Sequence, residues 1–382
     1  MKIALVTETF PPEVNGVAMT LRQYVVGMRA RGYEVSVVRP RQQADRDGPL
    51  HDFPEHLVKG YAVPRYEGLQ FGGFCRGRLK RLWREERPML VHVATEGPLG
   101  MAALFAAGSL GIPVVSTYHT NFHSYGDHYG YGWFSSPLMA YLRWFHNRTL
   151  ATFVPSEDLK RTLEEARFKN VRIFSRGVDT RLFGPHRRSE ALRRSWGVES
   201  AAPVVAYVGR VAAEKNLPLT VRAFERFRER HPAARLLVVG DGPERKKLER
   251  EHPEYIFAGM RRGEDLAAHY ASADLFFFAS TTETFGNVIT EAMASGLVVL
   301  AYNYAAALHH VRDGVNGYTA AYDNDTAYLA AVDRLCDDEP SWPGVSAAAV
   351  RTAKALSWDA VLARYESDVR ATLGADFKLA FT

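Results

Sequence analysis

The sequence of 382 residues lacks several features that mark special classes of protein. Its two cysteines, Cys75 and Cys336, form no CxxC pair, which argues against a disulfide framework and against a structural zinc site. The longest apolar stretch, residues 101–115, is interrupted by glycine and proline and is shorter than the roughly 20 residues of a membrane span. The first apolar run is too short for a signal-peptide core. We therefore expect a cytoplasmic protein without a membrane span.

The composition that remains is that of an ordinary globular protein, and at roughly 100 to 200 residues per domain its length predicts two domains or three. The net charge of +5 is unevenly distributed. Residues 1–190 contain 26 Lys and Arg against 18 Asp and Glu, whereas residues 191–382 contain 22 against 25. A basic first half is compatible with nucleic acid, an anionic membrane surface or phosphorylated ligands, and charge alone does not distinguish them.

Apolar runs of strand length alternate with helical patterns along the chain. The first set of predicted strands lies at residues 2–8, 34–38, 89–94, 112–118 and 152–156, and the second at 203–210, 235–242, 255–259, 274–280 and 297–302. This alternation predicts two α/β domains, each with a doubly wound parallel sheet. The charged stretch between them, near residues 176–200, has no strand pattern and is predicted to be a linker. Residues 357–373 form an amphipathic helical pattern.

Chemically suggestive residues of the second half follow its predicted strands. Glu283 and Glu291 flank Gly286, near which a helix is expected to begin, and a helix N-terminus of this kind binds phosphate or sugar oxygens. Glu291 could accept hydrogen bonds from two vicinal hydroxyls. Arg210 and Lys215 follow another strand, where a guanidinium and an ammonium suit a diphosphate. In isolation, each of these pairs is also compatible with a solvated turn or helix surface.

Two further loops of the second half carry weaker signals. The segment 238–249 resembles a phosphate loop but lacks the full GxGxxG pattern, so Asp241 or Gly242 is expected to cap the following helix. Met260 and Arg261 follow the next strand and could supply backbone contacts to a nucleobase.

In the first half, Asn15 and Gly16 lie where the first strand turns into the first helix, and Gly16 would let a phosphate approach that helix. His119 lies two residues beyond Thr117, at the end of another predicted strand. His123 and His128 have no acid at ligand spacing, so we expect no metal.

Residues 71–87 combine aromatic and basic side chains. Leu79, Leu82 and Trp83 share one helix face with cations beside it, a pattern typical of an interfacial helix on anionic lipid. The same pattern is compatible with a helix that buries this face in its own domain. The residues of the predicted membrane or acceptor surface are Arg76, Arg78, Lys80, Arg81, Trp83 and Arg84.

These motifs, in this order, resemble those of the retaining glycosyltransferases of family 4. The matching segments are the loop ending at Gly16, the YHT sequence at His119, RGVDTRLFGP (176–185), GRVAAEKN (209–216), GDGPE (240–244), ETFGNVITEAMASG (283–296) and DGVNGY (313–318). The chain reads SRGVD where many relatives read PNGVD, and this form is similar to that of the glycolipid and mannosyl-lipid synthases.

The resemblance implies the GT-B fold, in which two Rossmann-like domains face each other across a cleft. It implies an N-terminal acceptor domain over residues 1–175, a nucleotide-sugar donor domain over 176–355, and a segment, 356–382, whose helix crosses back to the first domain. It also implies a nucleotide-sugar donor, a lipid or glycan acceptor and neither metal nor cofactor. Nucleic acid is not expected as a partner, and the protein would be cytoplasmic or peripheral on the inner face of the membrane.

Site roles follow from the same resemblance. Arg210 and Lys215 would hold the donor diphosphate, and Glu291 the ribose. Catalytic roles are implied for His119, Arg210, Lys215 and Glu283. The implied donor-binding residues are Gly16, Arg210, Lys215, Gly242, Met260, Arg261, Glu283, Phe285, Gly286, Asn287, Val288 and Glu291.

The function expected is transfer of a hexose, mannose or glucose or galactose, from a GDP- or UDP-sugar to an acceptor hydroxyl, with retention of configuration. The cations would stabilise negative charge that develops on the departing diphosphate. A sugar-nucleotide epimerase of the same architecture is one alternative, although no acid–base pair for it stands out. A non-catalytic module that binds glycan or nucleic acid is another, but it leaves Arg210, Lys215, Glu283 and Glu291 without a role.

Overall fold

A computed structural model of the chain describes residues 1–13, 15–42, 45, 51–62, 70–119, 137–198, 202–283 and 286–374. The chain divides into two compact units. Unit 1 comprises Met1–Arg176 together with Trp358–Thr382, and unit 2 comprises Gly177–Ser357. The sequence-based boundaries, 175/176 and 355/356, lie within two residues of these divisions.

The strands of both units are short and mostly buried, as expected of parallel sheets covered on both faces. In chain order they are β1 (Lys2–Val6), β2 (Glu34–Pro40), β3 (Glu55–Val58), β4 (Gly60–Ala62), β5 (Gln70–Gly72), β6 (Leu90–Val93), β7 (Val114–Thr117), β8 (Thr152–Val154), β9 (Val171–Ile173), β10 (Val204–Val208), β11 (Arg235–Val239), β12 (Ile256–Gly259), β13 (Leu275–Phe278), β14 (Val298–Tyr302) and β15 (Tyr318–Ala320).

Helices connect these strands. They are α1 (Gly16–Ala30), α2 (Arg76–Glu86), α3 (Pro98–Leu110), α4 (Pro137–His146), α5 (Glu157–Glu165), α6 (Glu190–Ser195), α7 (Leu217–Arg230), α8 (Arg245–Glu251), α9 (Gly263–Ala271), α10 (Asn287–Ala294), α11 (Ala305–His310), α12 (Asp325–Asp337), α13 (Trp342–Ala355) and α14 (Trp358–Leu373). Short 3₁₀ turns lie at Pro185–Arg187, Ala213–Lys215 and Glu339–Ser341.

Unit 1 contains a parallel sheet in the order β3-β2-β1-β6-β7-β8-β9, beside an antiparallel pair, β4 and β5. The order reverses between β1 and β6. Unit 2 contains a parallel sheet in the order β12-β11-β10-β13-β14-β15, with the reversal between β10 and β13. Both orders are those of doubly wound Rossmann-like sheets, so the predicted α/β class is confirmed. Ligands of such sheets bind at the carboxyl ends of the strands on either side of the reversal.

The C-terminal helix α14 packs into unit 1. The apolar side predicted from its sequence is confirmed, because Val361, Leu362, Tyr365 and Val369 are buried in the core formed around β1 and α1. The Tyr365 hydroxyl lies 3.1 Å from both the Tyr24 hydroxyl and Nδ1 of His92. Unit 1 is therefore assembled from two segments that are distant in the sequence.

The interpretation of residues 176–200 as a linker is wrong for the described part of that stretch. Val178 pairs with Ser357, and Phe183 is buried in the core of unit 2. Within α6, the Arg193 guanidinium is 1% exposed and donates to Asp274 Oδ2 at 3.0 Å. Arg193, one of the charges that suggested a linker, is therefore satisfied inside the fold, and Val178 and Phe183 supply apolar packing.

The face of α2 that was predicted to lie on a membrane is buried within unit 1. Leu79 and Trp83 are 0% and 1% exposed and belong to the core around β6 and α3. The assignment of Trp83 to a membrane surface is therefore wrong, because an indole inside this core has no access to lipid. The opposite face stays in solvent. Arg76, Arg78, Arg81 and Arg84 are exposed, and Lys80 is half-buried.

Candidate functional site

In unit 2, the sheet reversal brings together the cations and carboxylates identified in the sequence. Arg210 and Lys215 follow β10, and Glu283 follows β13, the strand that pairs with β10. Because the strands are parallel, all three side chains project from loops at the same edge. This edge is where a ligand of a doubly wound sheet is expected.

Lys215 and Glu283 form a direct ion pair. Lys215 Nζ lies 2.5 Å from Glu283 Oε1 and donates to the Thr282 carbonyl at 3.0 Å. Both side chains are 17% exposed, so the pair is shielded from most of the solvent. Ser280 donates to the same carboxylate oxygen at 3.0 Å, and Tyr304 donates to the Glu283 carbonyl at 3.1 Å. These contacts fix one ammonium and one carboxylate side by side.

Arg210 is more accessible. Its side chain is 65% exposed, and its Nη1 lies 3.2 Å from Glu214 Oε1, four residues along the chain. The backbone of Arg210 is fixed by a hydrogen bond, because the Tyr207 hydroxyl donates to the Arg210 carbonyl at 2.8 Å. An exposed ion pair of this kind contributes about 0 to 1 kcal/mol. The guanidinium can therefore leave Glu214 for a phosphate at little cost.

Glycines allow the loops after β10 and β11 to approach each other. A Cβ atom on Gly240 would lie 1.9 Å from the Gly209 carbonyl oxygen, and one on Gly242 would lie 2.2 Å from the Val211 carbonyl oxygen. Gly242, a predicted donor-binding residue, is thus required for loop packing. The expectation that Asp241 or Gly242 caps the next helix is wrong. Helix α8 begins at Arg245, and its N-cap residue is Glu244, since Pro243 and Glu244 first form a turn.

Helix α10 begins one residue after Gly286, which has a φ of 83°. Such a left-handed conformation favours glycine, and the first turn of the helix, with Asn287 and Val288, follows directly. Phe285, also predicted to bind the donor, lies outside the described residues. The structure accordingly places Gly286, Asn287 and Val288 at a helix N-terminus, as predicted.

Glu291 is half-buried, which argues against the alternative of a solvated helix residue. Its Oε2 accepts a hydrogen bond from the Tyr270 hydroxyl at 3.1 Å. Burial raises the pKa of Glu291 to about 7, and the Tyr270 hydrogen bond opposes that rise. Two donors from a ligand, such as vicinal hydroxyls, would further favour the ionised form. The ribose role remains a prediction.

Met260 and Arg261 lie directly beyond β12. The Met260 side chain is 61% exposed. Arg261 donates through Nε to the Ala258 carbonyl at 2.8 Å and through Nη1 to Asp265 at 3.1 Å. Both therefore lie on the loop side of the sheet, and their contact with a nucleobase remains a prediction.

In unit 1, α1 begins directly at Gly16. Asn15 caps the helix, because its side-chain oxygen accepts from the Ala18 amide at 2.8 Å. The first turn of α1 contains no acidic residue. The partial positive charge at the helix N-terminus is therefore not offset within its own first turn. At Gly16 the Arg176 guanidinium occupies the space of a side chain, since a Cβ atom there would lie 2.5 Å from Nη2 of Arg176.

His119 follows β7 at the same edge of unit 1, as predicted. Burial lowers the pKa of His119 to about 4, with Glu96 opposing the shift and Arg176 adding to it. Its Nε2 atom is buried and has no hydrogen-bond partner among the described residues. At neutral pH the imidazole is uncharged, so it can act on a substrate by hydrogen bonding rather than by charge.

Two carboxylates at the reversal of the unit 1 sheet were not among the predicted site residues. Glu8 follows β1, and its Oε1 accepts from the Leu99 amide at 3.1 Å, the second residue of α3. Burial raises the pKa of Glu8 to about 7, and the nearby Glu96 adds to the shift. Glu96 in turn lies 3.0 Å from Nε2 of the buried His146. The signal available in the sequence was the position of each residue just beyond an apolar strand.

The described residues contain no group of three His, Cys, Asp or Glu side chains arranged to hold a metal ion. Asp45, the first residue of a DxD-like sequence at 45–47, is only 8% exposed. Its carboxylate accepts from Nη1 of the buried Arg39 at 2.9 Å. Asp45 is thus engaged in a structural ion pair. Nor is any described helix both long and apolar enough to span a bilayer.

Comparison with known proteins agrees with this architecture. Residues 14–182 match the family described as Glycosyltransferase Family 4, and residues 202–338 match Glycosyl transferases group 1. A GDP-mannose-dependent alpha-mannosyltransferase from Mycolicibacterium smegmatis is 34% identical over 382 residues, covering 98% of each chain. An alpha-monoglucosyldiacylglycerol synthase from Streptococcus pneumoniae is 28% identical and covers 87% of this chain and 78% of its own.

The fold is shared with solved glycosyltransferase structures. Sucrose-phosphate synthase from Thermosynechococcus elongatus superposes with a TM-score of 0.72 at 19% identity, covering 97% of this chain and 99% of its own. This likeness confirms the GT-B fold inferred from the motifs. Sequence identity above 30% along almost the whole chain, with matches to both family descriptions, shows that the protein is a glycosyltransferase that belongs to family 4.

Proposed function

We propose that the protein transfers mannose from GDP-mannose to a hydroxyl of a membrane glycolipid or its precursor, with retention of configuration and without a metal. The ion pair of Lys215 with Glu283 at the sheet reversal carries the catalytic part of this proposal. The name of the mycobacterial relative supports the donor, and that of the streptococcal relative supports a lipid acceptor. UDP-sugars remain the alternative donors.

The chemistry follows from the charges at this edge. When the bond between the anomeric carbon and the diphosphate breaks, negative charge grows on the leaving phosphate. Lys215 and Arg210 would stabilise that charge, at about 2.7 to 4 kcal/mol for each well-placed donor by analogy with oxyanion sites. Glu283, held beside Lys215, would bind hydroxyls of the donor sugar. With two cations available to the diphosphate, the reaction needs no metal ion for charge neutralisation.

Retention is proposed through attack on the same face that the diphosphate leaves. The acceptor oxygen bonds to the anomeric carbon as the bond between that carbon and the phosphate oxygen breaks. The departing phosphate oxygen takes the proton of the acceptor hydroxyl. Neutral His119 suits a hydrogen bond to the sugar during this step, because a charged imidazolium would oppose the positive charge that develops on the ring.

The direct test is nucleotide release. Purified protein is incubated with GDP-mannose, UDP-glucose or UDP-galactose, with and without lipid extract, and with EDTA present throughout. We expect GDP release that depends on lipid and persists in EDTA. The NMR spectrum of the product should show an α-linked mannose. Release of UDP from a UDP-sugar, without GDP release from GDP-mannose, would show that the donor is that UDP-sugar. Absence of nucleotide release with every donor would contradict the enzymatic proposal and favour a binding module. Sugar isomerisation without transfer would favour an epimerase.

We also propose that unit 1 binds the cytoplasmic leaflet through the exposed face of α2. The support is the row of exposed arginines together with neighbouring aromatic rings. Phe74, just before α2, is 56% exposed, and its ring centroid lies 6.4 Å from that of the 38%-exposed Phe105. Each basic residue near an anionic surface contributes roughly 1 kcal/mol. In this proposal the exposed basic face of α2 contacts the membrane, and the buried face with Leu79 and Trp83 does not.

Vesicle co-sedimentation tests the surface. Binding to phosphatidylglycerol vesicles should exceed binding to phosphatidylcholine vesicles and weaken with salt. The double variant R81S/R84S should lose about tenfold in partition, whereas R194S/R250S, which alters exposed arginines of unit 2, should not. Equal binding by both variants would remove α2 from the proposal.

A further inference from the structure

The loop that follows β13, residues 280–283, is anchored by two tyrosine side chains from later parts of unit 2. The Tyr322 hydroxyl donates to the Thr281 carbonyl at 2.9 Å. The Tyr304 hydroxyl donates to the Glu283 carbonyl at 3.1 Å. Two phenol hydroxyls therefore fix the backbone of the loop that carries the candidate carboxylate.

The carbonyl between these two, that of Thr282, accepts from Lys215 Nζ at 3.0 Å. The Thr282 hydroxyl donates in turn to the Glu214 carbonyl at 3.0 Å, which connects the loop to the turn that contains Lys215. Lys215 and the two tyrosines follow β10, β14 and β15, which lie in one sheet with β13. Since Lys215 also pairs with the Glu283 carboxylate, the loop backbone determines where both charges of the pair lie.

The two tyrosine rings pack against each other, with centroids 4.6 Å apart and planes inclined by 39°. Tyr322 is 47% exposed, so its ring contributes little to the core, whereas its hydroxyl reaches the loop. Tyr302 belongs to the same aromatic cluster, because its ring centroid lies 6.1 Å from that of Tyr322. Its hydroxyl donates to Asp325, the first residue of α12, at 3.2 Å. Hydroxyls of one cluster thus contact two different parts of unit 2.

We propose that Tyr304 and Tyr322 are positioning residues, which hold the loop of Glu283, and with it the Lys215–Glu283 pair, in the conformation that binds the donor sugar. The role of the sugar rests on the proposed transferase function. One hydrogen bond of this kind changes an equilibrium by about 2- to 10-fold. Loss of both hydroxyls should therefore increase the population of loop conformations in which Glu283 does not meet the sugar. Because the rings are in contact, the effects of the two substitutions should not be additive.

The test removes the hydroxyls and keeps the rings. The variants are Y304F, Y322F and the double variant Y304F/Y322F, with Y302F as the matched control from the same cluster. The full-length proteins are titrated by calorimetry with GDP, GDP-mannose, UDP and UDP-glucose, and thermal unfolding of each is recorded.

Motion of the loop is measured independently of any ligand. Threonine methyl groups are isotopically labelled, and NMR relaxation gives the order parameters of the Thr281 and Thr282 methyls. Thr290, buried in α10, serves as the internal reference. The order parameters of the two loop methyls should fall in the double variant, and that of Thr290 should not.

The double variant should also weaken binding of GDP-mannose relative to GDP by about fivefold or more, because GDP lacks the sugar that Glu283 would bind. UDP-glucose and UDP are compared in the same way. Y302F should change neither the ratio nor the loop methyls. A shift in the ratio without a comparable loss of melting temperature separates positioning from general destabilisation.

Unchanged methyl motion in the double variant, or an unchanged ratio despite greater motion, would overturn the proposal. The same effects in Y302F would also overturn it. Should the double variant fail to fold, the single variants decide by the same two measurements. A wild-type protein that binds none of the four nucleotides would contradict the transferase proposal, whereas greater loop motion confined to the variants of Tyr304 and Tyr322 would still support anchoring by these hydroxyls.

Discussion

At the scale of single side chains, burial determines the charge state of groups that the sequence identifies only by type. Burial raises the pKa of Glu291 and of Glu8 to about 7 and lowers that of His119 to about 4. Two carboxylates are therefore poised to gain or lose a proton near neutral pH, while the imidazole is neutral over the physiological range. Ligand hydroxyls that donate to Glu291 would lower its pKa and couple binding to proton release.

The raised pKa of Glu291 makes stability depend on pH. A carboxyl group with a pKa near 7 when folded and 4.5 when unfolded binds more protons in the folded state, so its contribution is full below about 4.5 and is lost as pH rises through 7. We expect E291Q to flatten the decline of the unfolding free energy of unit 2 between pH 5 and 8, by about 1 to 3 kcal/mol. Urea titrations at several pH values measure this, and E229Q, at an exposed position of α7, should leave the decline unchanged.

Lys215 should matter for catalysis more than for affinity. Removing its ammonium takes away a donor to the developing phosphate charge and leaves Glu283 without its closest cation. We expect K215A to lower kcat by about 10²- to 10³-fold. Steady-state GDP release measures the effect, with K247A, an exposed lysine of α8, as the control. A K215A enzyme with wild-type kcat would show that the ammonium does not contact the leaving group.

At the scale of elements, α2 has two faces with different surroundings. Its apolar face anchors the helix in the core of unit 1, and its basic face remains accessible. The helical periodicity of the sequence identified both faces correctly but left open whether the apolar one lies on lipid or in the core of its own domain. An amphipathic helix presents the same pattern to a membrane and to a protein core, because both are apolar surroundings.

Substitutions on the two faces of α2 should affect the stability of unit 1 to different extents. W83A should destabilise unit 1 by about 3 to 5 kcal/mol, because it leaves a cavity in a filled core. R81S, on the exposed face, should change the stability by less than about 0.5 kcal/mol. Chemical denaturation followed by circular dichroism distinguishes the two. A W83A protein as stable as the wild type would contradict the buried position of this indole.

At the scale of the whole molecule, the two units differ in how the chain builds them. Unit 2 is one continuous segment whose core cluster lies within residues 178–353. Unit 1 takes part of its core from α14. A Cβ atom on Gly27 of α1 would lie 2.1 Å from Cδ1 of Leu362 in α14, so the two helices are in close contact. The C-terminal helix is thus a structural component of the N-terminal unit.

This difference predicts how fragments behave. Residues 177–357 expressed alone should fold and bind GDP, because every residue of their core cluster is retained. Residues 1–176 alone should not unfold cooperatively, since Val361, Leu362, Tyr365 and Val369 are missing from their core. Addition of a peptide of residues 358–373 should restore the transition. Calorimetric melting of the three samples tests this, and a cooperative transition for residues 1–176 alone would show that α14 is dispensable.

The sequence by itself determined the fold class, most of the central strands and the residue types at the sheet edges. Runs such as 204–208 and 275–278 are apolar throughout, and a short run of this kind bounded by turn residues is typical of a buried parallel strand. The short outer strands β3, β9 and β15 escaped prediction because they have few residues and, at the sheet margins, weaker apolar patterns. Periodicity needs several residues to be detected.

The tertiary structure alone decided which charges meet. Lys215 and Glu283 are 68 residues apart and become an ion pair only because β10 and β13 are neighbours in the sheet. The Arg176 guanidinium likewise lies against Gly16, although the strands that precede them, β9 and β1, are not neighbours in the sheet. Local sequence dictates backbone conformation and burial, whereas the pairing of distant side chains, and through burial their pKa values, depends on strand order, which no local pattern encodes.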